Sequence, residues 1–334
     1  MSSVWDGLLE EFRTLGGTAE NVRLGEGALG RGLFPIDTGA PVRLAVPDSL
    51  LVDARSVVFE NGALRLAADA GIGARERKFI EDYHAHLSWG GGGRAEIARI
   101  LEQAQELPKE LRQELTVEHR CGRWFEDVSE RLVEQQFVAS RRIAWRGRNV
   151  MMPILDLVNH GGSGATFEAG DGLRLETVTP GEVLVRYSDT DPYGVFLSWG
   201  FASEQAQALS IELVGEIGST ELAIGRAFGD GKTDKRPWIP GLETGQGQAA
   251  LDFLMLGNRL YPRLPRGIFR RLMRDGGLGG SDESFDTIQH VNRAHFLALH
   301  GAVETLGGEM ARTLRRMARH QLEALSFCIG AREI

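Results

Sequence analysis

Asp156, Asn159 and His160 put a carboxylate, a carboxamide and an imidazole within five residues, directly after the apolar run Ile154-Leu155. Polar groups carried into an apolar turn must find partners, so a cluster of this kind is suited to holding a polar ligand. Downstream, Gly181-Glu182-Val183-Leu184-Val185-Arg186-Tyr187 alternates like a strand and ends on a tyrosine, and Trp199-Gly200-Phe201 closes the segment. A tyrosine at a strand terminus predicts a hydroxyl free to face a pocket. Upstream, Ser140-Arg141 adds a hydroxyl and a guanidinium. Singly, these residues have ordinary readings: Arg141 as a surface ion pair, Asp156 as a cap, His160 as a turn residue. Together they form a more specific signal.

Other chemistry-bearing patterns carry less. Gly25-Glu26-Gly27-Ala28-Leu29-Gly30 matches G-x-G-x-x-G, with Asp48 where a ribose-binding acid would be sought. That motif needs a helix after it, and Pro35, Gly39, Pro41 and Pro47 among β-formers allow none, so a nicotinamide site is not expected. His290, His295 and His300 recur every five residues, while His84 and His86 are two apart. Neither spacing puts ligands on one helical face, and no metal is expected. Arg312, Arg315, Arg316 and Arg319 share a helix face, expected to be solvated. The sequence has no G-x-S-x-G elbow, H-E-x-x-H pair or G-x-x-x-x-G-K phosphate loop.

The elements that must position these residues follow from the patterning of a 334-residue chain, 42% apolar and 25% charged, enough for a large core and read as two domains. No window approaches the length of apolar sequence that a membrane helix needs. The net charge of −8 argues against a phosphate-backbone binder, so no nucleic-acid partner is expected. Cys121 and Cys328 are far apart and predict neither a disulfide framework nor a zinc site, which fits a reducing cytoplasm. Residues 1–12 read as a docked surface helix without the basic start of a secretory signal.

Strands are expected at 21–24, 32–36 and 42–46, then at 173–178, 182–187 and 208–214. Helices are expected at 75–87, 94–105, 108–117 and 127–137, with Gly90–Gly93 as a flexible break. Further helices are expected at 222–228, 247–256, 267–273, 285–306 and 308–330, with 229–245 as an exposed loop.

Four blocks of this sequence resemble the SET-domain methyltransferases, in the group typified by the plant Rubisco large-subunit lysine methyltransferase and the animal actin-histidine methyltransferase. They are Gly30-Arg31-Gly32-Leu33-Phe34 with Val46-Pro47-Asp48-Ser49-Leu50-Leu51; Ser140-Arg141; Pro153 to His160, like P-x-x-D-x-x-N-H; and Gly181 to Tyr187 with Trp199-Gly200-Phe201. Ile329-Gly330-Ala331-Arg332-Glu333 also resembles an arginine-glutamate ending of that group.

The resemblance implies an α+β, SET-type fold of small twisted β-sheets over residues 1–202, with a helical insertion at about 75–137. It also implies an α-helical C-terminal, substrate-binding-like domain over 203–334. It implies S-adenosylmethionine as cofactor, with Arg141 beside Ser140 for its carboxylate and Asp156 and Asn159 for its ammonium. Backbone groups of Leu29, Arg31 and His160 would hold the rest, and Tyr187 would be the catalytic tyrosine.

The implied reaction is methyl transfer to a lysine nitrogen of a protein or peptide. Histidine or a small-molecule amine as acceptor, and a non-catalytic SET-like binding module, are the alternatives. Phe167 stands where the plant enzyme has a second tyrosine, and Trp199 where Y-G-F is usual. With Tyr193 they are the expected substrate-channel residues. The acceptor, the number of methyls and the oligomeric state stay open at this point.

Overall fold

Short alternating runs broken every few residues by glycine or proline can pair only into small sheets, because no strand is long enough to recruit many neighbours. The computed structural model describes residues 2–117, 122–187, 190–225, 240–245, 247–280 and 282–328. The chain divides into one unit of Met1–Glu102 with Asp127–Tyr187 and another of Gln103–Glu126 with Ser188–Ile334.

The first unit begins with α1 (Ser2–Thr14), whose Trp5, Leu9 and Phe12 are buried at helical spacing. Strands β1 (Thr18–Glu20), β2 (Val22–Gly27), β3 (Gly30–Pro35), β4 (Val42–Pro47), β5 (Val52–Asp53), β6 (Val57–Glu60) and β7 (Ala63–Leu66) follow. Helix α2 (Ala74–His86) buries Phe79, Ile80, Tyr83 and His84 on one face, with Phe79 stacked on Phe12 at 5.8 Å. A single π-helical turn, Trp89–Gly93, leads into α3 (Arg94–Gln105). The Gly90–Gly93 run, expected as a break between helices, is a kink between α2 and α3, with Gly92 at φ 122°.

Two short helices of the second unit come next, α4 (Lys109–Val117) and α5 (Gly122–Phe125). The first unit resumes with α6 (Glu130–Arg141), capped by the Ser129 hydroxyl accepting from Leu132 N–H. It ends with β8 (Arg142–Trp145), β9 (Arg148–Met151), β10 (Asn159–Ala165), β11 (Glu168–Ala169), β12 (Gly172–Thr177) and β13 (Leu184–Val185). Its largest sheet has the order β1-β4-β12-β11. There Val42, Leu44 and Val46 alternate inward opposite Leu173 and Leu175, in the register Leu44↔Leu175 and Val46↔Leu173.

The second unit continues with α7 (Pro192–Trp199), β14 (Gln207–Leu209), β15 (Leu213–Ile217), β16 (Thr220–Gly225), β17 (Gly241–Gly245), β18 (Gln248–Asp252) and β19 (Met255–Asn258). Helices α8 (Leu264–Asp275), α9 (Asp282–Val303) and α10 (Glu309–Ser326) complete it. The region after residue 263 is helical as expected, but two expected helices are strands. Residues 222–225 lie in β16, and 247–256 supply β18 and β19. Their burial alternates, Leu222 and Ile224 in one strand and Ala249 and Leu251 in the other, so the period is two and not 3.6.

The single strand expected at 208–214 is divided between β14 and β15, which belong to different sheets. Gly241–Gly245, expected within a loop, pairs antiparallel with β18. Cys121, residues 229–239 of the expected loop, residues 226–228 of an expected helix and the 329–333 ending lie outside the described residues.

The arginine stripe on α10 is a solvated face at Arg312, Arg316 and Arg319, which are exposed, while Arg315 is half-buried. Arg312 and Arg316 pair with Glu309, and Arg315 donates to the Val303, Glu304 and Leu306 carbonyls at the end of α9.

Candidate active site

The site is assembled in the first unit by an unusual strand crossing. β10 and β13 run parallel, Asn159 opposite Leu184 and His160 opposite Val185, and Ala165 then also faces Val185. Arg186 N–H donates to the Ala165 carbonyl at 2.8 Å, and Val183 N–H to the Leu33 carbonyl of β3 at 2.7 Å. Residues 160–165 thus close around β13, bringing Tyr187 back beside the turn that carries Asp156, Asn159 and His160. Glycine is needed where the two backbones cross: a Cβ on Gly164 would lie 2.7 Å from the Leu184 carbonyl carbon and oxygen.

Tyr187 has its phenol against this turn. Its hydroxyl donates to the Val158 carbonyl at 2.8 Å, its N–H donates to His160 Nδ1 at 3.2 Å, and its ring lies 5.2 Å from the imidazole. The hydroxyl is therefore anchored, where the sequence predicted one free to face a pocket. Burial raises the Tyr187 pKa, so the group is a neutral phenol at physiological pH. Burial, aided by the Arg186 charge, lowers His160 to about 4. Its imidazole is neutral, and with Nδ1 accepting, the proton sits on Nε2.

Asn159 is braced from two sides. Its Nδ2 donates to the Arg31 carbonyl at 3.0 Å and to Glu182 Oε1 at 2.6 Å, which fixes the direction of its carbonyl oxygen. Asp156 is engaged more deeply. One carboxylate oxygen accepts from the Tyr83 hydroxyl, and the other accepts from Ser88 Oγ at 2.8 Å. Burial raises the Asp156 pKa, while Tyr83, Arg141, Ser88 and Arg31 work against that rise.

Arg141 ends α6 with its guanidinium over the Phe137 ring at 4.4 Å. Its Nη1 donates to Ser140 Oγ at 3.1 Å, and its Nη2 pairs with Glu96 Oε2 at 3.1 Å. The neighbouring turn packs tightly on it, since a Cβ on Gly93 would lie 2.7 Å from the Phe137 ring and 3.2 Å from Arg141 Nη2. Ser140 Oγ itself donates to the Phe137 carbonyl at 3.0 Å. The side chain of Arg31 is taken up by the Leu87 carbonyl, at 2.5 Å, and by the Gly91 carbonyl. Leu29 stands 54% exposed in the two-residue turn between β2 and β3, which pair Gly27 with Gly30. That hairpin is the G-x-G-x-x-G segment, so it has no helix to receive a pyrophosphate. Asp48 accepts from Trp145 Nε1 at 2.9 Å and pairs with Arg148 at 3.1 Å.

Of the expected channel residues, Phe167 lies half-buried in the first unit between β10 and β11. Tyr193 and Trp199 lie on α7 in the second unit. Tyr193 is in the core there, edge-on to Phe296 at 5.3 Å, and Trp199 packs on Phe201 at 6.4 Å.

Sequence reasoning missed four residues: Tyr83, Ser88, Glu96 and Glu182. Only Glu182 had a signal, its place in the G-E-x-x-x-x-Y block. Among the described residues no cluster of His, Cys, Asp or Glu is arranged to hold a metal, and no helix is long and apolar enough to cross a membrane.

No protein-family model matches the chain, and no curated protein matches it. Among solved structures, it is similar to the SET domain of LSMT bound to lysine and AdoHcy, with 15% identity over 98% of this chain and 90% of that one, at a TM-score of 0.45. It is also similar to Rubisco LSMT bound to AdoMet, with 15% identity over 97% of this chain and 90% of that one, at a TM-score of 0.44.

Proposed function

We propose that this chain is an S-adenosylmethionine-dependent N-methyltransferase acting on a lysine side chain of a protein or peptide. One observation carries the reading: Tyr187, distant in sequence, donates its phenol O–H to Val158 at 2.8 Å, inside the Asp156 to His160 turn, within the unit that also holds Arg141. The donor set fits the cofactor. A guanidinium suits its carboxylate, a fixed carboxamide and backbone groups suit its polar edges, and Leu29 offers exposed apolar surface at a hairpin tip.

When bound, S-adenosylmethionine supplies a methyl group on a positively charged sulfur. The chain's own residues bind and orient. Arg141, held by Phe137 and Ser140, takes the carboxylate, while the backbone of Leu29, Arg31 and His160 lines the rest. Asp156 braces the turn through Tyr83 and Ser88. Tyr187 donates a hydrogen bond to the Val158 carbonyl, which holds its phenol in the fixed direction that suits alignment of the incoming amine. Neither Tyr187, a neutral phenol, nor His160, with Nδ1 occupied, acts as a base. Desolvation of the lysine ammonium near positive charge lowers its pKa and favours the neutral nucleophile.

Tyr187→Phe is expected to leave cofactor affinity unchanged by calorimetry and to lower turnover roughly 100- to 1000-fold, the cost of one preorganised polar group. Near-wild-type turnover in that variant removes Tyr187 from the mechanism. Phe167 and Trp199, which depart from the resembled pattern, favour histidine or a small-molecule amine as the second reading of the acceptor. Mass spectrometry of products from lysine-, histidine- and amine-containing substrates separates the two. A chain that binds neither S-adenosylmethionine nor its product is a binding module instead.

A further inference from the structure

Asp156 is poorly placed to receive an ammonium group, because both of its oxygens already accept buried hydrogen bonds from Tyr83 and Ser88. Breaking either would leave a hydroxyl without its acceptor inside the core. The carboxylate beside Arg141 is different in kind. Glu96 is 52% exposed, sits in the first turn of α3 just after the Gly90–Gly93 run, and makes a single 3.1 Å contact with Nη2. The guanidinium it touches is only 16% exposed and is held by Phe137, Ser140 and the close approach of Gly93. A fixed cation and an adjustable carboxylate side by side present the charge complement of an amino-acid zwitterion.

Resting on the methyltransferase reading, we infer that Glu96, in place of Asp156 and beside the Asn159 carbonyl oxygen, is the charged acceptor for the α-ammonium of the cofactor's amino-acid head, and that with Arg141 it selects cofactors carrying that charge pair. The two side chains pair with each other at 3.1 Å. With the cofactor's head between them, Arg141 keeps its place and pairs with the carboxylate while the more exposed Glu96 swings to the ammonium, so neither charge is left unpaired. Asp156 keeps its place as a brace under the turn.

Calorimetry with two ligands tests this: S-adenosylhomocysteine, and its des-amino analogue in which hydrogen replaces the α-amino group. Wild-type protein is expected to bind S-adenosylhomocysteine about tenfold more tightly than the analogue, the size of one charge-assisted hydrogen bond at a half-exposed site. Glu96→Gln is expected to remove most of that preference, weakening S-adenosylhomocysteine several-fold while leaving the analogue unchanged. Glu96→Asp is expected to retain part of it, and unchanged circular dichroism melts show that the variants fold. A Glu96→Gln protein that binds S-adenosylhomocysteine as tightly as wild type, or more tightly, overturns the inference and leaves Glu96 only a counter-ion of Arg141, with the methyltransferase reading intact. Wild-type protein that binds neither ligand overturns that reading and the inference with it.

Discussion

Inside the first unit, His84 presents an imidazole with no hydrogen-bond partner at either nitrogen among the described residues, 5.1 Å from the Tyr83 ring and 6.3 Å from that of Phe137. Burial, reinforced by the Arg141 charge, lowers its pKa to about 3, so it is neutral in the folded protein. A buried polar group without a partner costs free energy that an apolar group of similar size does not. His84→Leu is therefore expected to stabilise the protein at neutral pH by roughly 1 kcal/mol. Urea unfolding measures it, and a loss of stability would mean that the imidazole has a partner after all, such as a bound water. Tyr83 and Ser88 had no signal of their own in the sequence. Their role comes entirely from Asp156, 73 and 68 positions away.

At the scale of elements, the crossing of β10 around β13 makes the sharpest demand on sequence. Gly164 has no room for a Cβ because the Leu184 backbone lies against it, and backbone cannot swing aside as a side-chain tip can. Gly164→Ala is expected to destabilise by roughly 1–3 kcal/mol, an overpacking cost. Gly181→Ala, where a Cβ meets nothing within 4 Å, is expected to stay within about 0.5 kcal/mol of wild type. Equal stabilities for the two variants would mean that the strands do not cross as closely as described. Nothing local in Gly161-Gly162-Ser163-Gly164 marks the crossing, because close approach of a distant strand leaves no local pattern.

The same limit explains β16 and β18. They pair in parallel across more than twenty intervening residues, and Ala249-Ala250 and Leu222-Ala223 read locally as good helix formers. By contrast, β2, β3 and β4 and helices α2, α3 and α6 were legible within a few residues. Their periodicity and caps are local.

For the molecule as a whole, the site's charged and polar types were legible, while their bracing partners were not, and the burial of two imidazoles sets how the fold responds to acid. His84 and His160 have folded pKa values of about 3 and about 4 against an ordinary value of 6.5. Above 6.5 both states are neutral at these positions, and stability is independent of their titration. As pH falls below 6.5 the unfolded chain takes up protons that the folded chain refuses, so stability drops until the folded values are reached. Asp156 runs the opposite way. Its carboxyl is raised by burial from 3.8, so acidification through the range just above that value favours the folded state.

Two imidazoles outweigh one carboxyl over most of the interval, and each contributes at most about 1.4 kcal/mol per pH unit. The unfolding free energy is thus expected to fall between pH 6.5 and about pH 4.5, and His84→Leu is expected to remove about half of the slope contributed by the pair. Urea titrations at several pH values measure both. If the slope proves identical in the two proteins, His84 is protonated in the folded chain, and the enclosure described around it must open to water.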